Sequence, residues 1–117
     1  MKSLLVISRQ PPARLAAREA LDLVLAAAAF GVPTGMLFMD DGVLQLLKGQ
    51  DAALIEQKSL SANLQALALF GVEDLMVCQH SLSDRGIKAN QCQLPVQPID
   101  SVGIASLLEH YDQVVSL

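Results

Sequence analysis

Short β-rich apolar runs alternate along this chain with longer helix-forming ones, and that alternation limits the folds open to it. Lys2 to Ser8 is an apolar run closed by Arg9-Gln10-Pro11-Pro12. The two prolines cannot donate ladder hydrogen bonds, so the run predicts a first strand that ends in a loop. Ala13 to Phe30 is rich in Ala and Leu and predicts a helix, with Arg14, Arg18, Glu19 and Asp22 on its wet face. After Asp22 the polar face disappears, so the second half is expected to be buried all round. Gly31 and Pro33 stop the helix.

The same punctuation continues. Thr34 to Met39 predicts a second strand, Asp40-Asp41-Gly42 a turn, and Val43 to Leu47 about one helical turn closed by Lys48-Gly49-Gln50. Asp51 to Lys58 reads as a linking stretch. Leu60 to Phe70 predicts a helix with Leu60, Leu64, Leu67 and Phe70 at core spacing and Gly71 as its stop. Leu75 to Cys78 predicts a third strand, Ser81 to Arg85 a single helical turn, and Leu94 to Gln97 a brief strand within a loop. Ser101 to Tyr111 predicts a last helix capped by Asp100 or Ser101, and Gln113 to Leu117 a closing strand. The expected fold is α/β, with residues 1–117 as one domain. A mostly parallel sheet of about five strands carries helices on both faces.

Charge and composition exclude several functions. Only 17% of residues are charged while 52% are hydrophobic, a balance that favours covering part of the surface with another subunit. The net charge of −4 and the lack of any basic run argue against gripping nucleic acid directly. Aromatic residues make up 3% and Trp is missing, which removes a base-stacking platform. The first apolar run is too short for a signal-peptide core, and Leu23 to Phe30 falls far short of a membrane span. A cytosolic location with reduced thiols and no membrane partner is the expectation.

In an open parallel sheet, chemistry gathers at the carboxyl ends of the strands. Three loops qualify: Arg9 to Pro12, Asp40 to Val43, and Cys78 to Ser81. Cys78-Gln79-His80-Ser81 is the most suggestive, because a thiol facing the N–H groups of a following helical turn can become a thiolate near neutral pH. His80 adds positive charge nearby if the strand persists to it. The alternative is that Cys78 is a small buried hydrophobe. Cys92, in a Gln-rich segment, is either a resolving thiol or a loop cysteine without a role. Asp40-Asp41-Gly42 can be an acid/base pair or a magnesium site, but a helix cap and turn explain it more simply. His110 near a helix C-terminus is a dipole partner. Neither a metal nor a cofactor is expected: two cysteines are too few for structural zinc, and no G-x-G-x-x-G or phosphate-binding loop is present.

Four segments together resemble one family. They are Arg18 to Asp22, Phe38 to Gln50 with its Asp-Gly-Val-x-Gln-Leu-Leu-x-Gly-Gln stretch, Val77-Cys78 with Ser81 to Gly86, and His110 to Leu117. Their order resembles the DsrE/DsrF-like sulfur-relay proteins over essentially the whole chain, most nearly the C-type subunits. The sequence departs from the pattern at Pro11-Pro12-Ala13 and at Leu117. The resemblance implies a cytoplasmic heterohexamer with related B- and D-type subunits. Such a complex passes persulfide sulfur from a cysteine desulfurase, through a carrier, toward 2-thiolation of a tRNA wobble uridine. In that family the relay cysteine is attributed to the D-type subunit, which gives this chain a mainly structural role and leaves Cys78 as the candidate catalytic residue. Three alternatives stand beside this: Cys78 itself carries sulfur, the complex serves sulfur oxidation, or the chain is a small-molecule module with its pocket near Asp41.

Overall fold

The computed structural model describes residues 2–47 and 62–117. Among these, five strands form one parallel sheet in the order β4-β3-β2-β1-β5. They are β1 (Leu4–Ser8), β2 (Thr34–Phe38), β3 (Asp74–Cys78), β4 (Gln97–Ile99) and β5 (Gln113–Ser116). Helices alternate with them: α1 (Leu15–Ala29), α2 (62–65, continued by turns to 70), α3 (Gln79–Asp84) and α4 (Ser101–His110). The parallel sheet with helices on both faces is the architecture that the alternating sequence predicts.

Burial explains why β1 sits near the middle. All five of its residues are buried, because both faces of a central parallel strand are covered. Leu4 and Val6 point into the larger core with Leu21 and Val24 of α1, Leu64 and Leu67, and Leu82 of α3. Leu5 and Ile7 point the other way and pack with Leu37, Met76 and Tyr111 beneath Ile104 and Leu107 of α4. Each such side chain contributes about 1.5–3 kcal/mol relative to exposure.

Several expected boundaries shift for local reasons. Helix α1 begins at Leu15, two residues later than expected, since Pro11, Pro12 and Ala13 lie in the turn ahead of it. Its second half is not buried all round: Ala26, Ala29 and Phe30 are exposed, and small apolar side chains mark a helix former as readily as a core residue. Leu64 and Leu67 are buried as their spacing predicts, whereas Phe70 is 47% exposed and Leu60 lies outside the described residues. The expected closure at Lys48 to Gln50 and the link from Asp51 to Lys58 also lie outside them. The brief strand falls at Gln97–Ile99, after Leu94. Asp100 caps α4 as expected, accepting 2.8 Å from the Gly103 N–H.

One contact ties the two ends of the chain's second half to the sheet. Tyr111 Oη donates to Asp74 Oδ2 at 2.9 Å, and a Cβ at Gly35 would strike the Tyr111 hydroxyl. Glycine in β2 is therefore the space that the phenol ring occupies. Burial, then the hydrogen bond and charge of Asp74, push the Tyr111 hydroxyl well above its ordinary value of about 10. A proton held more tightly in the folded state gives stability that is complete below about pH 10 and lost as pH rises above it. The thermal stability of the wild type should therefore fall as pH rises above about 10, and Tyr111→Phe should flatten that decline. At pH 7 the variant should lose about 1 kcal/mol with its hydrogen bond.

Candidate functional site at the carboxyl ends of the strands

Parallel register brings the ends of three strands to one edge. Ser8 pairs with Phe38, and Phe38 with Val77, so Cys78 lies one step beyond. Residues 9–12, 40–46 and 79–84 leave the sheet here side by side, as the sequence predicts.

The Asp40–Leu46 segment is a 3-10 helix that includes the Asp-Asp-Gly expected as a turn. Its backbone explains its sequence. Gly42 N–H donates to Met39 carbonyl at 2.9 Å, and a Cβ at Gly42 would collide with the carbonyl of Ser8. Asp40 has φ of 52°, a left-handed conformation that Asp tolerates better than most residues. Neither aspartate caps the helix; the N-cap is Met39, which makes no side-chain bond. Asp40 Oδ2 accepts from Arg9 Nε at 2.8 Å, and its N–H donates to Ser81 Oγ at 2.9 Å. Asp41 Oδ1 accepts from Arg85 Nη2 at 2.8 Å, while Arg85 Nη1 donates to the Ser81 carbonyl at 3.2 Å. Each carboxylate thus ties its own loop to a neighbouring one. Half-exposed ion pairs of this kind add at most about 1 kcal/mol each, so their value here is positional.

Gln45 is the residue that sequence reasoning missed. It is 1% exposed; Nε2 donates to Ser8 Oγ at 2.8 Å and to the Gln10 carbonyl at 2.9 Å. Its backbone carbonyl accepts from Gln93 Nε2 at 2.8 Å. One glutamine therefore fastens the first loop, the 3-10 segment and the 91–93 segment together. Its Oε1 is buried without a hydrogen-bond partner. The available signal was an amide inside the apolar run Val43-Leu44-Gln45-Leu46-Leu47, since a buried amide must find partners.

Cys78 is a free thiol, 6% exposed, at the last position of β3 and directly before α3. Alternation along the strand puts it on the face of Met76, and its register partner is Ile99. Helix α3 begins at Gln79, two residues before the expected Ser81, so the strand does not persist to His80. The imidazole is exposed instead, with Nε2 3.1 Å from Asp84 Oδ2. His80 is thus engaged along its own helix. Cys92, in the irregular segment where the sequence places it, is 5% exposed, belongs to the larger core and bridges Leu47 through the backbone. Among the described residues no His, Cys, Asp and Glu side chains gather into a group that could hold a metal ion. No described helix is long and apolar enough to cross a membrane.

A chain with this sheet order and strand-end arrangement has close relatives. It is 51% identical over 117 residues to a protein of Pseudomonas aeruginosa named as a TusC homolog, covering 99% of this chain and 98% of the relative. A TusC homolog of Aliivibrio fischeri is 34% identical, covering 94% and 93%. The crystal structure of the ychN protein from E. coli superposes with a TM-score of 0.85 over all of both chains at 19% identity, a likeness of fold. The sequence profile of the DsrE/DsrF-like family matches residues 1–117 from end to end. This chain belongs to the DsrE/DsrF-like family.

Proposed function

We propose that the chain is the C-type subunit of a cytoplasmic sulfur-relay complex that passes persulfide sulfur toward 2-thiolation of the tRNA wobble uridine. Its main work in this reading is to build the assembly with related B- and D-type subunits. The observation that carries the reading is the 51% identity, over the full length, to a protein named as a TusC homolog. The low charge of the chain and its acidic balance support a role among proteins, with the RNA held elsewhere. The geometry supports a structural role for the strand-end site: Arg9, Asp40, Asp41, Ser81 and Arg85 bind to one another.

The position of Cys78 favours a second reading, in which this thiol carries sulfur. A Cys78 thiolate would attack the outer sulfur of a donor persulfide, forming a new S–S bond as the donor's S–S bond breaks and the donor leaves as a thiolate. With 6% of the residue exposed, that attack needs the strand end to open. The test is to treat the isolated chain and the assembled complex with a persulfide donor and locate the added 32 Da (about one sulfur atom) by peptide mass spectrometry. The structural reading expects the label on a sister subunit and none retained at Cys78 in the complex. A stable label on Cys78, with transfer lost in Cys78→Ser, would replace it with the second reading.

A further inference from the structure

Helix α4 crosses its face of the sheet on a diagonal. At its start Gly103 lies against β4, where an added Cβ would come within 3.2 Å of the Ile99 Cβ. At its end Tyr111, the C-cap, lays its hydroxyl against Gly35 of β2, two strands further in. Between these points Ile104 and Leu107 pack on the cluster of Leu5, Ile7, Leu37 and Met76. The diagonal leaves the amino ends of β3 and β4 uncovered, and a cleft of about 450 Å³ opens between them and the helix. Small-molecule sites commonly fall in the range of roughly 300–1,000 Å³.

The lining sorts by chemistry. Met76, Ile99 and Leu107 give the cleft an apolar strip, and Asp74, Gln97 and Ser106 bring polar groups to it. Alternation along β3 puts Asp74 and Met76 on one face, so the carboxylate stands at the end of that strip. Its Oδ2 accepts from Tyr111 Oη at 2.9 Å, which fixes how the carboxylate is turned. Among the described residues no second donor and no cation reaches it, so Oδ1 is left to accept. The lining holds no Lys or Arg. His110, edge-on to Tyr111 with ring centroids 5.3 Å apart, is the other group there that can carry charge. We propose that this cleft binds a small amphipathic organic ammonium, its N–H groups donating to Asp74 Oδ1 and its hydrocarbon body lying on Met76, Ile99 and Leu107. Recognition is by direct contact with one oriented acceptor and the apolar strip beside it. Asp74 is exposed, so the preference for a cation is several-fold in size.

The test titrates the isotope-labelled full chain with three probes that share one hydrocarbon body: phenethylamine, phenethyl alcohol and phenylpropionate. Phenethylamine should shift the amides of Gln97, Gly103 and Ser106 saturably, with the alcohol at least threefold weaker and the acid weaker still. Asp74→Asn, whose side-chain carbonyl can still accept from Tyr111, should weaken the amine at least threefold and leave the alcohol unchanged. Ser106 and Ala105 are both exposed on α4, but only Ser106 lines the cleft. Ser106→Trp should therefore abolish saturable binding and Ala105→Trp should leave it intact. Equal or tighter binding of the alcohol or the acid, or an Asp74→Asn chain that still prefers the amine, would overturn the proposal. Undiminished binding in Ser106→Trp, or no saturable shift at these amides, would do the same.

Discussion

Replacing Gly42 by alanine should destabilise the protein by about 3 kcal/mol, the upper range for overpacking a close contact. The expectation rests on what the methyl group meets. It would enter the carbonyl of Ser8, a residue with no exposed surface at the end of the central strand β1. That carbonyl also accepts from Met39 N–H at 3.1 Å, so it cannot swing aside without breaking a bond between the first two strand ends. The 3-10 segment must move instead, and with it Gln45, Asp40 and Asp41. Denaturant unfolding should show the loss in stability, and protection of the 40–46 amides from exchange should fall further than that of β5. Gly31→Ala is the fitting comparison. It places a side chain in open space at positive φ, where only the conformational penalty of roughly 1–2 kcal/mol applies.

Phe38→Ala should cost about 4 kcal/mol. Among the described residues Phe38 is the largest fully buried side chain, at the last position of β2, where it belongs to the larger core with Val43, Leu46 and Val77. Truncation removes apolar area and leaves a cavity that this core cannot close. Its neighbours lie on the strands and on the 3-10 segment, which hydrogen bonds from Gln45 hold in place. Equilibrium unfolding in urea, with an unchanged slope and a lower midpoint, should report it. Phe38→Leu should recover more than half of the loss, because it refills most of the volume with a side chain that needs no partner.

Much of this architecture was legible because strands and helices are marked by period and punctuation. Lys2 to Ser8, closed by Pro11-Pro12, and Thr34 to Met39, between Pro33 and Gly42, declared themselves as β-rich apolar runs, and the structure places Leu4–Ser8 and Thr34–Phe38 there. What resisted reading depends on contacts between distant residues. The exchange between Gly35 and Tyr111 joins positions 76 residues apart, and nothing local in β2 requires a glycine. The aspartates of the Asp-Asp-Gly stretch looked like caps because capping is the common local use of Asp; Arg9 and Arg85, from other loops, draw them away. Phe70 satisfied the core spacing of its helix yet faces outward, since helical period fixes a face only while the helix lasts, and α2 has loosened into turns by residue 66. At Cys78 the sequence located the strand end, but the early start of α3 turned His80 toward Asp84.

In the proposed reading the chain is a subunit whose fold matters more than its cysteine, a reading supported by the buried Cys78 thiol and by the relatives named as TusC homologs. The most direct measurement is the 2-thiouridine content of tRNA made by a reconstituted relay, run with the wild-type chain, with Cys78→Ser, and with the chain omitted. Omission should reduce 2-thiouridine at least tenfold, while Cys78→Ser should keep more than half of the wild-type yield. A Cys78→Ser yield as low as omission, or an omission that changes nothing, would contradict the account.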